Sequence, residues 1–415
     1  MSIQNTYNQS KEEFLFNNSK KFTALRDLLL DKFDFTPKEK KNNESLKHLD
    51  LNIFEFSYSY KNLLNSISYK EHNDSTVNIN ITNGKISNIS QEKKNLNLNI
   101  QNIDSLNLDA EEKFLNFQNY FKNDHVLNLN SLMMNSGYLI DVGEGQEVNI
   151  LISNNINESD LTIFQKNIIK CSKNCKVNIT EEFITDKKSN NNTVNFIDLE
   201  DGAELTHLIF QKNDQKANLQ STSYTKCKKN SKFMQTILNV SDGSIRNHHY
   251  VNLLGEGASA YLDGIFFGSS KQSIDNKTEI NHNYPNCVSS QRYKGVLTDE
   301  AKASYLSKTF VNKIAQKTEA YQLSKGILLS ENSYFHSKPE LRIFADDVKC
   351  SHGSTIGPID SDLLFYLRSR GLDKKTSTSL LIKSFFHDII SNINNKSFIE
   401  KFNYHTNIWL KKNNI

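Results

Sequence analysis

Proline is nearly absent, 4 in 415 residues. A residue without an N–H cannot donate to a strand ladder, so its scarcity suits a body built of stacked strands. Cysteine is sparse and odd in number, 5 residues, which excludes a disulfide-stapled secreted scaffold. The expectation is reduced thiols in a cytoplasmic protein. No apolar run approaches the ~18 residues of a membrane span, so no membrane partner is expected. The first residues, Met1 to Thr6, are polar, and Glu12 and Glu13 argue against a signal or transit peptide. Net charge is only +3, and the basic doublets Lys40-Lys41, Lys93-Lys94, Lys187-Lys188 and Lys228-Lys229 are scattered. Without an aromatic-interleaved basic stripe they are solvated lysines, and no nucleic-acid partner is expected. The chain has no G-x-x-x-x-G-K-[ST] loop; Gly255-Glu-Gly257 is only a turn. No nucleotide is therefore expected to bind, and no ATP hydrolysis. Pyridoxal, flavin and nicotinamide motifs are missing as well.

At this length two or three domains and a large core fit in one chain. Residues 11–35 carry a helical stripe of Phe14, Phe22, Leu25, Leu28 and Leu29, and residues 110–121 return to a helical pattern. Between them Val77–Ile81 and Leu96–Ile100 alternate strictly, as half-buried strands do. Residues 1–130 read as a mixed, mainly helical amino-terminal domain. From about 135 the chain repeats itself. Val142-x-x-Gly145-x-x-Val148 recurs from Cys171, Leu199, Cys227 and Leu254, at spacings of 29, 28, 28 and 27 residues. Each unit is a strand end, a turn with Gly or Asn where a positive φ is needed, and a new strand. That period predicts a right-handed parallel β-helix over residues 131–357, so the chain is mainly β. Cys171 and Cys227 occupy positions held elsewhere by Val142, Leu199 and Leu254, hence core positions. A Cys171–Cys175 metal pair is the weaker alternative.

A carboxy-terminal helical domain, residues 358–415, follows. Leu363, Leu364 and Leu367 share one face of a helix that Gly371 stops. Leu380, Leu381, Phe385, Phe386 and Ile389 form a second stripe, and Phe398, Phe402 and Trp409 a third.

The stretch from Lys338 to Asp360 holds the candidate chemistry. Leu341–Phe344 reads as a short strand opened by Pro339; Asp346, Asp347, Cys350 and His352 follow within seven positions. Thiolate, imidazole and carboxylate suit iron or zinc. One Cys-x-His pair supplies two soft ligands where such sites take four, so a second chain or a small molecule must complete the shell. Extending the repeat frame as Cys350-x-x-Gly353-x-x-Ile356 puts Cys350 inward and His352 at a solvent-facing turn position. That favours His352 as a ligand and leaves Cys350 open between ligand and core. Asp346 and Asp347 either recruit iron or serve the turn. Adjacent His248 and His249 point to opposite faces of a strand and make poor co-ligands.

Several words here resemble the SufB/SufD family of iron–sulfur cluster assembly proteins, closest to SufD. They are Lys338-Pro-Glu-Leu341, Ala345-Asp-Asp-Val-Lys-Cys-Ser-His-Gly353 and Phe365-Tyr-Leu-Arg-Ser-Arg-Gly371, with Ser290–Leu297, Ala315–Thr318 and Tyr321-Gln322 upstream. The likeness runs from about His282 to about Ile390; Leu306-Ser307 departs from it. The resemblance implies a β-helix and a non-catalytic scaffold subunit of a SufB–SufC–SufD complex. It implies a nascent iron–sulfur cluster or iron shared with a SufB-like subunit. His352 and Cys350 are the implied ligands, with Asp346 beside them. It further implies an ABC-type ATPase, SufC, docked on helices at about 361–390, for which Leu363, Leu364, Tyr366, Leu367 and Arg368 are the contact residues. Cys287 and Cys350 are the only cysteines after Cys227, which favours SufD over SufB. The competing readings are a SufB-like homodimeric scaffold, a β-helix acting on carbohydrate, and a self-contained zinc protein. Neighbouring Asp346 and Asp347 make a poor acid/base pair for the carbohydrate reading.

Overall fold

A computed structural model describes residues 77–91, 96–102, 125–214 and 216–415, with Asp27 alone before them. The helical stripes read at 11–35 and 110–121 otherwise lie outside the described residues. From Tyr138 onward the strands alternate between two sheets. One sheet takes β5 (Glu147–Asn155), β7 (Lys176–Thr185), β9 (Glu204–Asn213), β11 (Lys232–Asn239), β13 (Ser259–Gly268), β15 (Val288–Leu297), β17 (Thr318–Leu328) and β19 (Val348–Gly357). The other takes β4 (Tyr138–Val142), β6 (Leu161–Cys171), β8 (Ser189–Leu199), β10 (Ala217–Cys227), β12 (Ile245–Leu253), β14 (Ser273–His282), β16 (Lys302–Val311) and β18 (Tyr334–Ile343). Every neighbour within these runs is parallel, so the chain winds as a parallel β-solenoid, as the repeat predicts.

The repeat works because each unit stacks its inward side chains on those of the last. One column runs Val148, Val177, Leu205, Phe233, Ala260, Ser289, Ala320. The turns put Gly145, Asn174, Gly202, Asn230, Gly257 and Asn286 at positive φ, where Gly lacks the Cβ clash and Asn tolerates it. The period drifts in one place. Leu253, not Leu254, stacks on Cys227, and Leu254 is exposed. The Gly257 turn supplies the compensating residue, so Ala260 still pairs with Phe233. Cys171, Cys175, Cys227 and Cys287 are fully buried along this one corner, packed among Val142, Leu199, Ala203 and Leu253.

The sheets begin before residue 131. β1 (Val77–Thr82) pairs in parallel with β5 on one side and antiparallel with β2 (Lys85–Gln91) on the other, and all six residues of β1 are buried. β3 (Leu98–Asn102) pairs antiparallel with β4. Both expected amino-terminal strands therefore exist as members of the solenoid's own sheets, but β1 is buried on both faces rather than half-buried, and β3 starts at Leu98 rather than Leu96. Helix α1 (His125–Met133) lies on β6 and β8.

Helices α2 (Ser361–Ser369), α3 (Lys374–Phe385), α4 (His387–Ile390) and α5 (Lys396–Lys412) follow the solenoid. Ile382, Phe386, Ile389, Phe398, Phe402 and Trp409 pack on the outer face of the first sheet, against Phe210, Leu238, Ile265, Phe267 and Val296. Burying each such side chain contributes roughly 1.5–3 kcal/mol. Lys294, itself buried, pins this layer by donating to the Phe385 carbonyl at 2.7 Å and to Asp388 at 2.6 Å. Gly371, at φ +92°, ends α2 as expected.

Candidate functional site

The last coil, β18 and β19, holds the candidate residues. β18 is an edge strand of ten residues, longer than the four expected, and Pro339 sits inside it rather than at its start. An edge position explains the tolerance, because only one side of the strand needs a donor. β19 is the edge of the other sheet. Its register with β17 pairs Cys350 with Ala320 and His352 with Gln322.

This register corrects the frame read from sequence. Cys350 does not stand before the turn, where Cys171 and Cys227 stand; it continues the column that starts at Val148, three positions after the turn. His352 is not a turn residue. It continues the inward column of Leu262, Gln291 and Gln322, whose members are all buried. The frame slipped because it gave Ile356 the column position that Cys350 holds, so the last turn was set six residues late. Cys350 is inward, as expected, and half-buried. His352 is exposed for a different reason from the one expected: the solenoid ends there and nothing among the described residues stacks on its column.

Cys350 and His352 are two residues apart on one face of a strand, about 7 Å between their Cα atoms. The carboxylates do not join them. Asp346 and Asp347 are exposed in the turn, with Asp347 bonding through its backbone to Lys317 N and Gln316 Oε1. Five strand rises, about 17 Å, separate Asp347 from His352, and Asp346 lies farther round the corner. Among the described residues no group of three or more His, Cys, Asp or Glu could hold a metal ion. The pair is an incomplete ligand set. Burial raises the Cys350 thiol above its ordinary range, so it carries a proton at neutral pH.

His248, His249 and His282 have structural partners. His282 Nε2 meets Ser289 Oγ at 2.8 Å, with both residues buried. His248 faces outward onto Asp275 at 2.9 Å and His249 inward onto Ser223 at 2.6 Å, on opposite faces as expected. In α2 no residue is buried. Leu363 and Tyr366 are more than half exposed, Leu364 and Leu367 are half-buried, and Arg368 is exposed. Phe365, 73% exposed, belongs with this apolar surface although its helical position placed it off the Leu363–Leu367 stripe. Gln322, named only within the resemblance, was passed over as a site residue; its place directly beneath the histidine follows from the register alone.

Residues 131–385 match the family model described as "SUF system FeS cluster assembly, SufBD core domain". The chain is 27% identical over 285 residues to an iron–sulfur cluster assembly SufBD family protein of Synechocystis sp., covering 65% of this chain and 63% of that one. It is 28% identical over 236 residues to a chloroplastic protein of Arabidopsis thaliana, covering 55% of this chain and 49% of that one. To the iron–sulfur cluster assembly protein SufD of Escherichia coli K12 it is 32% identical over 141 residues, covering 34% of this chain and 33% of that one. The matches thus span from a third to just under two thirds of these relatives' lengths. With the core-domain match covering more than half of its residues, including every strand from β4 to β19, the chain belongs to the SufB/SufD family of the SUF iron–sulfur cluster system.

Proposed function

We propose that this chain is a SufD-like, non-catalytic scaffold subunit that helps assemble iron–sulfur clusters at the open end of its solenoid. His352 offers imidazole nitrogen, and Cys350 thiolate after losing its proton, to iron or a nascent cluster as cargo. A SufB-like solenoid docks end to end on β18 and β19 and completes the ligand shell. An ABC-type ATPase of the SufC kind docks on the apolar surface of α2 and the middle of α3, around Leu363, Phe365, Tyr366 and Leu380. Its cycle of nucleotide binding and hydrolysis works the interface; this chain binds no nucleotide in that scheme.

The observation that carries the reading is the coincidence of two incomplete structures in one coil. Among the described residues the strand edges lack a neighbour and the two-ligand set lacks its other half, so one partner fills both. Asp346 is left as an iron-recruiting group at the rim.

The test is anaerobic purification of the tagged full chain, co-expressed with its host's SufB-like and SufC-like proteins. Both partners should co-elute at fixed stoichiometry. His352→Ala should leave the complex and the thermal midpoint of the chain unchanged, since the side chain is exposed, and should abolish cluster assembly in cells. Intact assembly with that variant would falsify the ligand role. A chain that elutes alone from cells making both partners would sink the scaffold reading.

A further inference from the structure

One buried polar atom beneath His352 has no partner. Gln322 is 4% exposed and is the register partner of His352 in the adjoining strand. Its amide nitrogen donates to Thr309 Oγ1 at 2.8 Å and to the Glu340 carbonyl at 3.3 Å. Those bonds fix the plane of the amide and which end is nitrogen. Its oxygen, Oε1, is buried and accepts nothing. Buried acceptors are nearly always satisfied, so this one calls for a donor.

The coil below shows what a finished version looks like. Gln291 occupies the same column, and both its ends are engaged. Its Oε1 accepts from Thr278 at 2.5 Å and its Nε2 donates to Thr309 at 2.8 Å. Gln322 has no such donor across the interior. Ser307, the counterpart of Thr278, is not among the hydrogen-bond partners of Gln322. The counterpart of Thr309 in the next coil is Leu341, which has no polar atom in its side chain. The next side chain along the column is that of His352. Register partners in neighbouring strands are about 4.8 Å apart with side chains on one face, within reach of both long side chains.

We propose that Gln322 is a positioning residue whose Oε1 accepts the ring N–H of His352. A neutral imidazole carries one N–H and one bare nitrogen. Tying the N–H down into the column selects one tautomer and turns the bare nitrogen toward the open end, where it can donate its lone pair. Partners of this kind orient a metal-binding histidine and raise its basicity. The consequence for metal rests on the ligand role proposed above; the hydrogen bond does not.

The test uses the full chain with ¹⁵N-labelled histidine in mildly alkaline buffer, His352 being assigned by its absence in His352→Ala. Two-bond proton–nitrogen correlation should give its ring nitrogens as one protonated and one bare, a single tautomer. Gln322→Met keeps the length and removes the acceptor; it should draw the two shifts toward each other, and Gln322→Glu, which keeps an acceptor, should restore the split. Unchanged shifts in a folded Gln322→Met chain overturn the proposal. Should the methionine variant not fold, averaged shifts in Gln322→Glu overturn it equally. Cobalt(II) alone then separates this from the ligand role: Gln322→Met should bind it about tenfold more weakly, and His352→Ala should lose the site. Cobalt affinity unchanged in His352→Ala defeats the ligand role while the tautomer result stands.

Discussion

The two ends of the solenoid are finished differently. At the amino-terminal end β1 is flanked by antiparallel β2 and β4 by antiparallel β3, and the residues of β1 are wholly buried. At the other end β18 and β19 are the last members of their sheets, and their inward residues reach solvent. One column records the change: Gln291 is 0% exposed, Gln322 4%, and His352 lies open. Parallel edges left bare invite another strand. The difference teaches that exposure of His352 comes from position in the stack, not from the outward parity that surface residues ordinarily have.

The largest expected effect comes from making a cavity at matching positions in one column. Phe233 is fully buried in mid-solenoid, and Cys350 is its counterpart in the last coil. Phe233→Ala should cost about 3–5 kcal/mol. Cys350→Ala removes one sulfur from a half-open site and should cost under about 1 kcal/mol. Urea midpoints of the two variants measure the contrast. Equal losses would mean that the carboxy-terminal end is as closely packed as the middle.

Acid sharpens the same contrast with a somewhat smaller effect. Burial pushes His249 down to about 3 and His282 to about 4, so both are neutral in the folded chain. A depressed histidine favours folding fully above its ordinary value of about 6.5, and the contribution is lost as pH falls toward the folded value. Each histidine should account for up to about 3 kcal/mol lost between pH 6.5 and 4. The alkaline side runs the opposite way. Burial lifts Cys287 to about 11, so its contribution is full below about 9 and disappears as pH rises through 11. Thermal midpoints across pH check both limbs, and His282→Asn should flatten the acid one. A midpoint that does not move between pH 7 and 4.5 would contradict the interior placement of these rings.

Much of this architecture was legible in the sequence. The spacing from Val142 to Leu254 gives away the solenoid because stacking forces like residues into like positions, and the Gly and Asn turns are chemically required. The stripe of Phe386, Ile389 and Trp409 marks helices with a face to bury. The frame failed where the stack stops. A period says which positions repeat, but not how a final turn of different length resets them, so Cys350 and His352 were assigned the wrong columns. Pro339 misled in a related way: it looks like a strand boundary unless the strand is known to be an edge. The orphan oxygen of Gln322 was invisible, because it depends on Leu341 replacing Thr309 across the interior. The four interior cysteines were easier to interpret, since small apolar side chains fit the tight corner that they fill.

The smallest expected effect on the isolated chain is at Ser354, which follows Cys350 and His352 on the inward face of β19 and is exposed. Its counterpart in β17, Ser324, is 2% exposed. Ser324→Lys should unfold or strongly destabilise the chain, because a lysine there has neither water nor a paired charge. Ser354→Lys should change stability by no more than about 0.5 kcal/mol, as exposed substitutions do. The same lysine should stop a SufB-like partner from continuing the stack, since docking would bury its ammonium group. Co-purification with the partner, set beside the urea midpoint of the free chain, reads both quantities from one variant. Normal stability with lost docking is the signature of an interface that is open only until its partner arrives; retained docking would place the partner elsewhere on the molecule.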